Sequence, residues 1–325
     1  MPLDLVVPHL LLPPDAPQPL RKLRLPAIER WLARADIATD ASAGSHGWIA
    51  ARYGLEPPIA YAAIALEGEG EAAGDGDWMR ADPVHLRVDN DDAVLHDAAA
   101  LGLERAEADA LVESLQAHFA RDGLELRAPS PHRWYVRVPE GELARTVALE
   151  AAVGRNVFGM LPEGGGKIRW RAALTEAQMV MSVHEVNERR AIAANSVWFW
   201  GEGRRPAALP APYRNVFADD VFARGLARIS GATPHALPPR IDDVLQASRE
   251  GATLVVIDAL TTALRGPDPA AWLERAAALD GDWFAGLPRD ARVVLPGDNY
   301  TRVASHPPAA RWRFFRGPKP LSAHA

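Results

Sequence analysis

Residues 252–260, ATLVVIDAL, are apolar at every position except Thr253 and Asp258. The run is under half of the roughly 20 residues a membrane span needs. It does not alternate between polar and apolar, so it reads as a strand covered on both faces. Such strands belong in the middle of a parallel sheet, where crossover helices lie on either side. LDLVV near the start and ARVVL at 291–295 have the same character. Between them lie helical patterns: PLRKLRLPAIERWLARAD, with Leu25, Ile28, Trp31 and Leu32 on one face, then DDVFARGLARISG and DPAAWLERAAALDGDWFAGL. Strands alternating with helices predict an α/β core.

The middle of the chain has a different texture. EGEGEAAGDGD at 67–77 is an acidic, glycine-rich turn suited to a boundary. WMRADPVHLRVDNDDAVLHD predicts a β-hairpin around DNDD. LERAEADALVESLQAHFARDG predicts an amphipathic helix that stops at Gly123. LELRAPSPHRWYVRVP predicts two more strands, and TEAQMVMSVHEVNERRAIAA a helix. NSVWFWG then reads as a return to the α/β sheet, and RWRFFRG as a last edge strand. The expected organisation is a discontinuous core, 1–77 and 182–325, with an inserted α+β lobe at 78–181.

Composition removes several function classes. A net charge of −6 argues against a nucleic-acid partner. The chain has no cysteine, which excludes disulfides, thiolate metal sites and a cysteine nucleophile. MPLDLVVPHLLLPPD lacks a basic leader and is interrupted by prolines, so it reads as a first strand. No apolar run approaches membrane-span length. The expected setting is the cytoplasm, with no membrane partner.

Several local patterns need weighing. EGGGK at 163–167 lacks the spacing of a phosphate loop, and Ile168 follows the lysine where Ser or Thr would hold magnesium; it reads as a turn. HEVNE at 184–188 lacks the second histidine of a zinc-protease helix. His9 reads as the end of a buried strand. Ser45, in AGSHG, stands on a turn into a helix, where it reads either as an N-cap or as a nucleophile. Arginines such as Arg80, Arg190 and Arg204 could grip phosphate or carboxylate with a planar fork.

The order of these segments resembles the archaeal-type cofactor-independent phosphoglycerate mutases of the alkaline phosphatase superfamily. HEVNERRAIAANSVWFWGEGRRP resembles that family's H-P-x-N…R…A-N-x-I-W-x-W-G-x-G-K-x-P segment. AGSHGWIAARYGLEP resembles P-G-S-D-x-A…G-Y-D-P and sets Ser45 at the phosphorylated serine. RADPVHLRVD, FADDVFARGLARISGA and ARVVLPGDNYTRVASH match further segments. The chain looks most like a bacterial branch labelled RpfE-type regulatory protein. The resemblance implies an alkaline-phosphatase-like α/β core sheet with helices on both faces and an inserted α+β domain.

The resemblance also implies two divalent metals held by Asp and His, and here the sequence departs from it. VPHLLLP replaces an Asp-Gly pair, DALTTALRGPD leaves Asp258 without its histidine, and GDN puts Asn299 after Asp298. His46 replaces the aspartate after the serine. Asp4, Asp258, Asp298 and His306 are the residual metal candidates. The expectation is therefore a mutase-like protein without its metals and with no cofactor, which binds a small anionic molecule or a protein partner. Arg80, Arg204, Asn187, Arg190 and His132 are its candidate ligand contacts. The alternative is an active metal-dependent phosphomutase or phosphatase that uses Ser45 with Mn or Zn.

Overall fold

The computed structural model describes residues 3–12, 16–42, 44–89, 92–96, 101–265, 268–297, 300–313 and 315–324. The chain forms two compact units, Met1–Pro57 with Ala208–Ala325, and Pro58–Ala207.

The first unit is built on a seven-stranded mixed sheet flanked by helices. With strands numbered along the whole chain, it contains β1 (Leu3–Val6), β2 (Asp36–Asp40), β8 (Asn215–Ala218), β9 (Thr233–His235), β10 (Thr253–Val256), β11 (Arg292–Pro296) and β12 (Thr301–Ser305). Their order is β2-β12-β11-β1-β10-β8-β9. Strands β11, β1, β10, β8 and β9 are parallel. Strands β12 and β2 close one side antiparallel. The apolar runs read from sequence occupy the middle, where every residue of β1 and β10 is buried.

Leu3, Leu5 and Val7 join a core cluster with Ile28, Trp31, Trp272 and Trp283. These come from helices α1 (Pro26–Leu32) and α7 (Pro269–Asp282) and the turn after α7. Asp280 ties the two helices together, because its carboxylate accepts the free amides of Ala27 and Ile28 at 2.9 Å each. Helices α2 (Gly44–Arg52) and α6 (Val221–Ser230) pack against each other and on β11 and β8 respectively.

Among the described residues of RWRFFRG, the expected edge strand is absent. Pro308–Trp312 is a 3-10 helix, started by two consecutive prolines that cannot donate to a ladder. Asp36–Asp40 takes the edge instead.

In the second unit, β3 (Asp77–Asp89) pairs antiparallel with β7 (Ser196–Arg204) on one side. Its first part also pairs with β6 (Arg133–Val138), and its last part with β4 (Asp92–His96). Strand β5 (Glu125–Ser130) lies beyond β6. Helix α3 (Tyr61–Glu69) packs on β7 and β3, α4 (Arg105–Phe119) on β5, and α5 (Lys167–Ser182) on β7.

Strand β7 carries the WFW run, and its place corrects the expectation that this run re-enters the α/β sheet. Its ladder with β3 runs from Asp77↔Arg204 to Val84↔Ser196. A fully apolar strand shows that it is covered on both faces but not which neighbour it has. The unit, 58–207, is accordingly wider at both ends than the expected 78–181.

Candidate functional site

The Gly-x-Gly after the tryptophans has a packing cause. Gly201 and Gly203 have φ of 71° and 139°. A Cβ at Gly203 would stand 2.7 Å from the Cβ of Ala60, and one at Gly201 would stand 3.0 Å from that of Tyr61. The glycines let the start of α3 lie against the strand. Tyr61 then stacks on Trp200 with ring centroids 4.5 Å apart. Arg204, at the end of β7, is half exposed and donates to Asp77 at 3.1 Å.

Arg80 is only 4% exposed. Its Nε and one terminal nitrogen both donate to Asp82 Oδ1, at 3.0 and 2.5 Å. Its guanidinium lies over Tyr135 and Trp200. Asp82 also accepts from Trp200 Nε1 at 2.8 Å and from the Trp134 amide at 3.3 Å. Burial opposes the charge on Arg80, but Asp82 and the surrounding tyrosines outweigh it, so the guanidinium's pKa rises and it stays charged. Burial pushes the Asp82 carboxyl up, and Arg80 opposes that shift. The fork that sequence offered to a ligand is filled inside the core.

Asn187 and Arg190 are used in the same way. The Asn187 amide donates to the Met181 and Ala194 carbonyls and accepts from the Ala194 amide, closing the loop after α5. Arg190 donates to Glu107 at 2.5 Å and to the Leu101 carbonyl. His132 sits in the β5–β6 turn.

Of the residual metal candidates, Asp4 and His306 lie at the amino edge of the parallel strands. Asp4 is fully buried and one register step from the start of β1. Arg292 grips it with two nitrogens, at 2.6 and 2.5 Å, and the Tyr213 hydroxyl donates to it at 2.5 Å. Hydrogen bonding to Asp4 raises the Arg292 pKa, while burial and the Asp4 charge raise that of Tyr213. His306 stacks on Trp31 at 4.2 Å and donates to its carbonyl. Burial lowers its pKa, which keeps the ring neutral. Asp298 lies outside the described residues.

Asp258 sits at the opposite, carboxyl edge, where open α/β sheets bind ligands. Val6, Val256 and Ala218 are register partners. Two residues further along these neighbouring strands come Pro8, Asp258 and Asp220. Helix α2 starts at the same edge, where the Gly44 amide donates to the Gly297 carbonyl at 2.9 Å just past β11. This brings Ser45 and His46, both half-buried, to the strand ends. His46 Nε2 lies 3.1 Å from Asp220 Oδ2, and Asp220 Oδ1 caps α6 through the Ala223 amide. Sequence reading missed this pair. The one available signal was FADD, a strand ending in aspartates much as VVID does.

Ser45 and His46 are consecutive on a helix, so their side chains diverge by about 100°. Among the described residues, no three His, Asp or Glu side chains are placed to hold a metal ion. Of the donors the resemblance implies for a metal pair, Asp4 is engaged by Arg292 and Tyr213, and His306 Nε2 by the Trp31 carbonyl.

No protein-family model matches the chain. A Geobacter sulfurreducens protein named as a probable 2,3-bisphosphoglycerate-independent phosphoglycerate mutase is 26% identical over 155 residues, 46% of this chain and 38% of that protein. The match thus spans well under half of that relative. A cofactor-independent phosphoglycerate mutase from Thermoplasma acidophilum aligns over 93% of this chain and 88% of its own, with a TM-score of 0.42 and 16% identity. The PH0037 protein of Pyrococcus horikoshii aligns over 93% and 86%, with a TM-score of 0.56 and 15% identity. The second likeness shows a shared fold, and the sequence match supports a phosphoglycerate-mutase-like relationship. No helix among the described residues is long and apolar enough to cross a membrane.

Proposed function

We propose that this chain is a phosphoglycerate-mutase-like protein that binds a small anion at the carboxyl edge of its α/β sheet and does not turn it over. It would act as a regulatory protein of the RpfE type, in the cytoplasm, where a chain without cysteine is at home. The observation that carries the proposal is His46 at the start of α2, held by Asp220. The family that the chain resembles has an aspartate after its serine. This chain has a base there, which becomes a cation on protonation and suits a phosphate or carboxylate.

An active phosphomutase or phosphatase using Ser45 is the second reading. It is favoured by Asp258 and Asp220, each two residues past the last register pair, Val256↔Ala218, of neighbouring strands. Titration with 3-phosphoglycerate separates the two. We expect saturable binding without turnover, weakened ten- to a hundredfold in His46→Ala, the loss of one charge-assisted contact of about 1.5–3 kcal/mol. Turnover abolished by Ser45→Ala would establish the second reading. No binding by the wild type would leave a protein partner in place of the anion.

A further inference from the structure

We propose that His85 and His96 form a two-imidazole site for a divalent transition-metal ion of the zinc type, on the hairpin made by β3 and β4. The two residues are direct register partners on antiparallel strands. Their side chains therefore stand on the same face of the sheet. Their ring centroids are 5.9 Å apart, with planes inclined at 43°.

The protonation of one ring is settled by its neighbour. His85 Nδ1 lies 2.8 Å from the Ala193 carbonyl oxygen. A carbonyl can only accept, so Nδ1 carries the proton and Nε2 carries the lone pair. A backbone carbonyl on the far nitrogen is the usual support of a metal-bound histidine, since it fixes both tautomer and ring direction. His96 is exposed, and no hydrogen bond engages its ring among the described residues. By contrast, His184 spends both nitrogens, one on the Val186 amide and one on Ser114.

The spacing suits a shared cation. A zinc–nitrogen bond of about 2.0–2.1 Å, with two imidazoles at a tetrahedral angle, places ring centroids about 5 Å apart. The observed separation exceeds this by about 1 Å, which a small χ rotation of the exposed His96 removes. Each ring donates one neutral lone pair, and water fills the remaining positions. A bound ion would tie β4 to β3 four pairs back from Asp89↔Asp92, at the other end of the ladder. The site lies in the second unit and takes a cation, so it is independent of the anion site proposed above.

Zn2+ titration of the full chain against a chromophoric competitor tests this. Wild type is expected to bind about one equivalent with two nitrogen ligands and to gain thermal stability on adding Zn2+, because the strand pairing that forms the site is absent from the unfolded chain. His96→Gln and His85→Gln should each bind at least tenfold more weakly and lose the Zn2+-dependent rise in Tm. His96 is exposed, so its variant tests the site even if His85→Gln fails to fold. Unchanged Zn2+ affinity and an unchanged thermal shift in His96→Gln would overturn the proposal.

Discussion

Asp82→Ala is expected to lower the unfolding free energy by about 3–5 kcal/mol, the usual cost of breaking a buried ion pair from one side. The substitution strands the Arg80 guanidinium, which is 4% exposed and cannot reach water. It also removes the acceptor for Trp200 Nε1 and the Trp134 amide. A loss this large is a substantial fraction of the stability of an ordinary domain. The double variant Arg80→Met, Asp82→Leu removes both charges and leaves only the two tryptophan donors to be satisfied. It should therefore be more stable than Asp82→Ala alone. Guanidinium unfolding followed by tryptophan fluorescence measures both. A cost below about 1 kcal/mol for Asp82→Ala would mean that Arg80 has access to solvent, and would reopen it as a ligand contact.

The second large effect is expected at Asp4, in the other unit. Asp4→Ala leaves the buried Tyr213 hydroxyl without its acceptor, which costs about 1–3 kcal/mol. It also releases Arg292, whose side chain is 36% exposed and can turn to water, so only a discounted share of the pair's energy is lost. Together we expect a loss of about 2–4 kcal/mol. Asp4→Asn keeps an acceptor for Tyr213 and should cost less. The sign separates two roles. A residue kept as a metal ligand is surplus negative charge in metal-free buffer, and its removal there is neutral or stabilising. A structural carboxylate is needed with or without Mn2+. Equal stability of Asp4→Ala and wild type in chelated buffer, diverging only on adding Mn2+, would contradict the structural role.

The sheet of the first unit was legible because its central strands are solidly apolar, as covered parallel strands must be. Its antiparallel side was not. Strand β2 has no buried residue, and DIATD carries no periodic signal. The aromatic strand was legible as a strand but not in its partner, because burial on both faces looks the same in either sheet. Arg80 and Asp82 were readable in principle. Residues two apart on a strand share a face, and an Arg-x-Asp so placed can satisfy itself. Ser45 stood out by its position on a turn into a helix, and Asp258 only through the family resemblance. The pairing of His46 with Asp220 spans 174 residues. Only the order of parallel strands brings those two together, and no local pattern carries that order.

The metal content of the protein tests the central claim most directly. The measurement is best made on His96→Gln, purified without chelator, so that an ion on the histidine pair does not count. Elemental mass spectrometry after dialysis against trace Mn2+ and Zn2+ should find well below one equivalent of either per chain, because Asp4 and His306 are committed to Arg292 and Trp31 at the amino edge. About two equivalents, the content of a two-metal phosphotransfer site, lost together on mutating Asp258 and Asp220, would contradict the account and establish a working metal centre beside Ser45.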